Sequence, residues 1–136
     1  EAKERMPESK DDETLNGEIE ERAGGVDDAM GKGDVPLALE IALSDPPYES
    51  KDMDLKRKSA AVCSDILLTV KEKEMDDLIN ALSVEQCDVL MKYIYRALES
   101  ADDIKISITL LRWHAHLANI RGLGCVMRAV AERQSL

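Results

Sequence analysis

The chain has 136 residues, 44% of them hydrophobic, which suits one domain with a substantial core. Aromatic residues are only 3% of the chain and phenylalanine is absent, so the core must be aliphatic, which favours helices packed on helices. The net charge of −10 disfavours binding to nucleic acid or anionic membranes, and no apolar run approaches the roughly 20 residues needed for membrane insertion.

The first 18 residues are the least apolar part of the chain. Residues 1–30 carry eleven acidic and four basic side chains. Such a segment buries too little apolar surface to offset the entropy of ordering it. We therefore expect a flexible acidic N-terminal arm over residues 1–18 and a helical domain over residues 19–136. Composition favours a solvating tail, and the functional alternative is an arm that becomes ordered on a partner.

Weak helical spacing begins at Ile19. The adjacent glycines at 24–25 are expected to interrupt this segment. Gly31 is expected to end it, because glycine readily adopts the left-handed conformation that closes a helix. Asp34 is suited to cap a second short helix that reaches about Leu43. The double proline that follows stops this helix, since proline cannot continue the hydrogen-bond ladder.

The middle of the chain contains three further helical patterns. Apolar residues three or four positions apart predict a helix over about 52–70 and a shorter one over about 73–82. Ser83, with Gln86 three residues later, is the signature of a capping box that opens a helix running to residue 100. That helix is apolar over much of its circumference, so we expect it to be central to the fold.

The segment from residue 102 to about residue 120 contains two apolar rows. One row is Ile104, Ile108, Leu111, Ala115 and Ala118, and the other is Ile106, Leu110, Trp113, Leu117 and Ile120. Alternation over 104–108 leaves a strand possible, but the helical period continues to the end of the segment and favours a helix. Two rows suggest packing on both sides, either within the fold or against a partner. After a glycine break, a last helix is predicted over about 125–134.

These patterns predict six to seven helices and no credible strand. The connections between them are short, so consecutive helices should pack antiparallel. The predicted fold class is therefore all-α: a compact bundle of six to seven short antiparallel helices with a disordered acidic N-terminal arm.

The residue types that perform catalysis or bind metals do not form a recognisable site. Cys63, Cys87 and Cys125 are far apart and lack Cys-x-x-Cys spacing, which is typical of reduced core thiols in a cytosolic or nuclear protein. His114 and His116 are two positions apart in a predicted helix, so they point in different directions and cannot chelate one metal. We expect no catalytic residue, no cofactor and no metal. An enzyme using Cys125 or His114 is the weaker alternative.

The C-terminal part of the chain is basic. Between residues 104 and 136, five basic side chains accompany a single acidic one, Glu132. Arginine beside apolar residues is enriched at protein interfaces. The candidate interface residues are Arg112, Trp113, Arg121, Arg128 and Arg133. A solvated basic face is the alternative interpretation.

Three stretches of the chain point to one protein family. They are LALEIALSDPP at 37–47, LMKYIYRALES at 90–100 and LLRWHAHLANIRGLGCVMRAVAERQSL at 110–136. In their order and separations they resemble subunit 5, the smallest subunit, of the actin-related protein 2/3 complex. The resemblance covers roughly residues 34–136, and LMKYIYR is its most specific piece.

The resemblance implies a non-catalytic structural subunit of a hetero-oligomer that nucleates branched actin filaments and regulates actin polymerisation. It implies docking on the β-propeller subunit (subunit 1) and on subunit 4, with the N-terminal arm reaching toward an actin-related subunit. The implied location is the cytoplasm and the cytoskeleton, in the actin-rich cortex and cell projections. From the residues alone, a free-standing helical adaptor that binds peptides in a groove is the alternative.

Overall fold

The computed structural model of the protein describes residues 11–48 and 50–132. Within these residues it contains seven α-helices and no β-strand, which confirms the all-α fold class. The helices are α1 (Asp12–Gly31), α2 (Val35–Ala42), α3 (Met53–Thr69), α4 (Glu72–Asn80), α5 (Val84–Ser100), α6 (Ile104–Arg121) and α7 (Leu123–Glu132). No helix among the described residues is long and apolar enough to span a membrane.

Side chains cap most of the helix starts. Aspartates accept hydrogen bonds from backbone N–H groups in the first turns of α1, α2, α3 and α6, which satisfies donors that have no partner inside the helix. At the start of α5, the Ser83 hydroxyl accepts from the Gln86 N–H, and the Gln86 side chain accepts from the Ser83 N–H. The predicted capping box is therefore confirmed.

Helix α1 crosses the boundary predicted between the arm and the helical domain. It begins at Asp12, and its Leu15 and Ile19 are buried against Leu55 of α3 in a small second core. It also runs unbroken through the glycines at 24–25, because packing on α2 and α3 outweighs the roughly 1 kcal/mol that each helical glycine costs. Residues 11–18 thus belong to the helical domain, and residues 1–10 of the predicted arm lie outside the described residues.

Helix α5 forms the centre of the main core. It packs against α3, α6 and α7, and its Leu90, Met91 and Ile94 are completely buried. The Tyr93 hydroxyl is buried with them and shares a 2.8 Å hydrogen bond with the Ser59 hydroxyl of α3. A buried hydroxyl that lacked such a partner would destabilise the fold by about 1–3 kcal/mol. The expectation that this helix is central is confirmed.

The last two helices follow the predicted order with adjusted boundaries. The 104–108 segment is helical, and α6 continues to Arg121. Gly122 ends it with a φ of +83°, a left-handed conformation that side chains disfavour. Helix α7 then begins at Leu123, two residues earlier than predicted, and packs against α5 and α6.

Candidate protein interface on the outer faces of the last two helices

Helix α6 has one apolar face inside the fold. Its Leu110, Trp113 and Leu117 are completely buried. The Trp113 indole N–H donates a 2.9 Å hydrogen bond to the Leu67 carbonyl in the last turn of α3. That carbonyl is one of the helix-end acceptors that lack an intrahelical donor, so Trp113 caps α3 as well as filling the core.

The other apolar row of α6 lies on the outside of the molecule. Ile104, Ile108 and Leu111 are between 42% and 74% exposed. Successive helical residues are about 100° apart around the axis, so this row lies about 150° from the buried one. The sequence left open whether both rows pack within the fold or one of them packs against a partner. In the structure one row packs within the fold, and the second row faces away from the core.

Helix α7 repeats this arrangement. Its Cys125 and Ala129 are completely buried, while Leu123, Met127 and Val130 are between 51% and 70% exposed. The spacing of the exposed residues is the same i, i+4, i+7 as in α6. We call the two exposed sets, Ile104/Ile108/Leu111 and Leu123/Met127/Val130, the outer rows.

The outer rows hold much of the exposed apolar surface of the described residues. They contain six of the eleven large hydrophobic side chains that are exposed there. Single exposed apolar side chains are normal on soluble proteins, but aligned sets on consecutive helices are typical of surfaces that bind another protein. The outer rows are therefore the best-supported candidate interface among the described residues.

Two of the predicted interface residues lie on opposite sides of α6. Trp113 is in the core, so its place in a surface patch is corrected: its large apolar side chain and its N–H are both satisfied inside the fold. Arg112 is exposed beside the outer row, and its Nε lies 3.9 Å from a Glu72 carboxylate oxygen. Of these two residues, Arg112 remains available for an interface.

Arg121 is used to hold α4 in place. Its guanidinium donates to the carbonyls of Leu82, at 2.7 Å, and Ile79, at 3.4 Å, just where α4 ends. Its Nε also donates to the Cys87 sulfur at 3.2 Å. Arginine is suited to this task because its planar group presents several donors in a fixed geometry. The structure therefore gives Arg121, a predicted interface residue, an intramolecular role.

Arg128 connects α7 to α5. Its guanidinium makes two parallel 2.9 Å hydrogen bonds to the carboxylate of Asp88. Partial burial raises the pKa of Asp88, but hydrogen bonds from Arg128 and Cys125 outweigh this effect and hold the pKa below its ordinary value. The pair fixes the angle at which α7 presents its outer row. Arg133, the fifth predicted residue, lies outside the described residues.

The two histidines of α6 have different partners. His114 shares a 2.8 Å hydrogen bond with the Tyr95 hydroxyl. His116 lies between two carboxylates of α4, with Nδ1 2.7 Å from Asp76 and Nε2 3.0 Å from Glu72. Hydrogen bonds with Glu72 and Asp76 raise the pKa of His116 above its ordinary value. No group of three or more potential metal ligands occurs in the part of the chain that the structure describes.

The cysteines are poor candidates for a nucleophile. All three are completely buried. Burial raises the pKa of Cys63 to about 12, and burial with a hydrogen bond to Asp88 raises that of Cys125 to about 12. A thiol that stays protonated at neutral pH reacts slowly, because the thiolate is the nucleophile.

An open groove lies beside the central helix. It has a volume of about 320 Å³ and lies between α3, α5 and the start of α6. Small and apolar residues such as Ala60, Leu68 and Ile106 line it, together with Arg57 and Asp65. A volume of this size is at the lower end of the range for small-ligand pockets.

Comparisons with known proteins agree with one another. Residues 1–136 match the family model of the ARP2/3 complex 16 kDa subunit (p16-Arc). The actin-related protein 2/3 complex subunit 5 of Dictyostelium discoideum is 29% identical over 127 residues, which are 93% of this chain and 90% of that protein. Subunit 5-C of Xenopus laevis is 31% identical over 113 residues, covering 83% and 75% of the two chains. The probable subunit 5 of Caenorhabditis elegans is 30% identical over 99 residues, covering 73% and 68%.

Proposed function

The chain belongs to the ARP2/3 complex 16 kDa subunit (p16-Arc) family, and on this basis we propose that it is a structural, non-catalytic subunit of an actin-related protein 2/3 complex. In this role it binds neighbouring subunits and supports the nucleation of branched actin filaments. Its place of action is the cytoplasm, in the actin-rich cortex and cell projections.

The family match carries this proposal, and the pair of outer rows agrees with it. Six large aliphatic side chains lie exposed on two consecutive helices, each row opposite a buried face. Each of these side chains is already partly covered, so completing its burial contributes less than the roughly 1.5–3 kcal/mol of a full transfer from water. Six of them together would still stabilise an assembly. In a subunit that functions inside a complex these side chains would be covered by a partner, which favours apolar residues at these positions.

The partners proposed from the family are the β-propeller subunit (subunit 1) and subunit 4. A contact between the N-terminal arm and an actin-related subunit belongs to the same proposal. We propose that the outer rows of α6 and α7 dock on these partner subunits.

The two alternatives have less support. An enzyme based on Cys125 or His114 would need a reactive thiol near a base, but Cys125 is buried with a pKa raised to about 12, and His114 is hydrogen bonded to Tyr95. A free-standing peptide adaptor is less well supported because the matching family and the relatives reported above are named as subunits of a complex. The enzyme alternative does not explain the outer rows.

Co-expression with the other subunits tests the proposal. Affinity-tagged wild-type chain should recover the β-propeller subunit in near-equal amount, and the purified complex should form branches on pre-existing filaments. The double variant Ile108→Asp/Leu111→Asp should lower recovery at least tenfold, because two charges would then be buried in the interface. Leu37→Asp, at a similarly exposed leucine of α2, is the matched control and should recover the complex normally.

Circular dichroism of each variant separates loss of binding from loss of folding. The proposal requires that both charged variants keep the wild-type melting temperature. If the wild-type chain recovered no actin-related subunit and remained a monomer that binds peptides, the adaptor alternative would replace the proposal.

A further inference from the structure

The exposed face of α6 has the spacing of a coiled-coil seam. Ile104, Ile108 and Leu111, followed by the exposed Ala115, are separated by four, three and four residues. This is the d–a–d–a register in which one helix packs knobs into holes on another. At 1.5 Å per residue, the seam is about 16 Å long, which matches roughly three turns of a partner helix.

Basic side chains line one border of this seam. Lys105 and Arg112 each follow a d position, so both occupy e positions, and both are exposed. In the described part of the chain the Lys105 ammonium makes no ion pair, and the contact of Arg112 with Glu72 is long, at 3.9 Å, between two half-exposed side chains. The opposite border, at the g positions, carries the polar residues Ser107 and His114. Charges at e and g positions select the partner helix of a coiled coil.

From this register and this border we infer that the seam of α6 binds an amphipathic helix of a partner subunit that carries Asp or Glu residues facing Lys105 and Arg112. The inference rests on the proposed function and names the chemistry of the partner at this one site. Apolar contacts along the seam would supply most of the affinity. The acidic residues of the partner helix would determine which helix binds and in which register.

A second copy of this chain is a poorer occupant of the seam. In an antiparallel pair of α6 helices, the e positions face one another, which would bring Lys105 close to Arg112 of the other copy. Like charges at such positions disfavour pairing. The outer row of α7 gives a useful contrast, because its corresponding e positions are Gly124 and Ala131. Charge selection is therefore expected at α6 and not at α7.

Two synthetic helical peptides test the inference on the full chain. Both have about 15 residues, with leucine at every a and d position and capped ends. One has glutamate at all e and g positions and the other has lysine. Binding is measured by fluorescence anisotropy, and the site is mapped by amide chemical shifts of the isotope-labelled chain. The glutamate peptide should bind at least about tenfold more tightly in low salt, with shifts concentrated on α6, and 1 M salt should largely remove the preference.

Three variants make the test specific. Lys105→Glu/Arg112→Glu should invert the preference between the two peptides. Leu111→Ser should weaken the binding of both peptides by about tenfold or more, because the seam loses its central side chain. Lys32→Glu/Lys51→Glu makes the same change of charge at exposed lysines outside α4 and α6 and should leave the preference unchanged.

Several results would overturn the inference. These are equal affinity for the two peptides, a preference for lysine, chemical shifts that map away from α6, no binding of either peptide at millimolar concentration, or self-association of the chain that Leu111→Ser abolishes. Failure here is distinct from failure of the proposed function, because co-expression reports assembly whichever helix is selected. A photo-crosslinker at position 111 of the assembled complex gives the final check, and it should label a helix with an acidic border.

Discussion

Leu110 and Leu111 are consecutive residues with identical side chains and opposite roles. Leu110 is completely buried between α6 and the rest of the core, whereas Leu111 is 54% exposed. The same contrast extends along the helix, with Trp113 and Leu117 on one side and Ile104 and Ile108 on the other. Because both rows repeat at helical spacing, hydrophobicity alone cannot distinguish them. The fold depends on the inner row, and we assign the outer row to assembly.

The largest predicted effect comes from placing one charge on each side of this helix. Leu110→Asp should unfold the domain, since an aspartate there would be buried with no partner, and its cost of several kcal/mol is comparable to the stability of a whole domain. Leu111→Asp should leave the free energy of unfolding within about 0.5 kcal/mol of wild type. Thermal denaturation followed by circular dichroism measures both. Equal destabilisation by the two variants would remove the distinction between the rows.

Trp113→Phe tests the hydrogen bond on the inner face of α6. The variant keeps an aromatic side chain but removes the N–H that donates to the Leu67 carbonyl at 2.9 Å. We expect it to lower the free energy of unfolding by about 2–3 kcal/mol, from the small cavity and the unsatisfied carbonyl together. Urea denaturation measures the loss. A change below about 0.5 kcal/mol would mean that the indole N–H does not cap α3.

A comparison of two arginines tests the intramolecular role of Arg121. Arg121→Met should cost about 1–2 kcal/mol, because the carbonyls of Ile79 and Leu82 lose their donor at the end of α4. Arg112→Met is the matched control at an exposed position of the same helix and should change stability by less than about 0.5 kcal/mol. The reverse order of effects in urea denaturation would contradict the assignment of Arg121 to the fold and Arg112 to the surface.

The smallest predicted effect depends on pH. Hydrogen bonds with Glu72 and Asp76 raise the pKa of His116 in the folded chain. A raised pKa means that this contribution to stability is complete below the unfolded pKa, near 6.5, and is lost as the pH rises through the higher folded value. His116→Ala should therefore cost about 0.5 kcal/mol at pH 6 and almost nothing at pH 9.

Urea denaturation of wild type and His116→Ala across this pH range checks the sign. A cost that grows as the pH rises would contradict the proposed ion pairs between α4 and α6.

Much of the fold could be predicted because its signals are local. The capping box at Ser83, the helical period from α3 to α6 and the glycine break after Arg121 all depend on residues within one or two turns. The start of α1 could not be found in this way. Leu15 and Ile19 are buried by Leu55, about forty positions away in the chain, and local composition contains no trace of that contact.

The sequence predicted an interface in the C-terminal helices, and the structure shows which of the predicted side chains are exposed there. The expectation relied on arginines among apolar residues, but an arginine can satisfy helix-end carbonyls or a carboxylate within its own chain, as Arg121 and Arg128 do. The better signal was already present in the doubled apolar row of α6. Which row faced outward depended on tertiary packing around Trp113, and the sequence alone could not determine it.

Hydroxyl-radical footprinting of the free chain and of the assembled complex shows whether assembly covers the outer rows. If it does, Leu111 and Met127 should react readily in the free chain and be protected several-fold in the complex. Leu37 on α2 provides an internal reference and should react equally in both states. Unchanged reactivity of Leu111 and Met127 in a complex that demonstrably contains this chain would contradict the proposal that the outer rows dock on partner subunits and place the interface elsewhere.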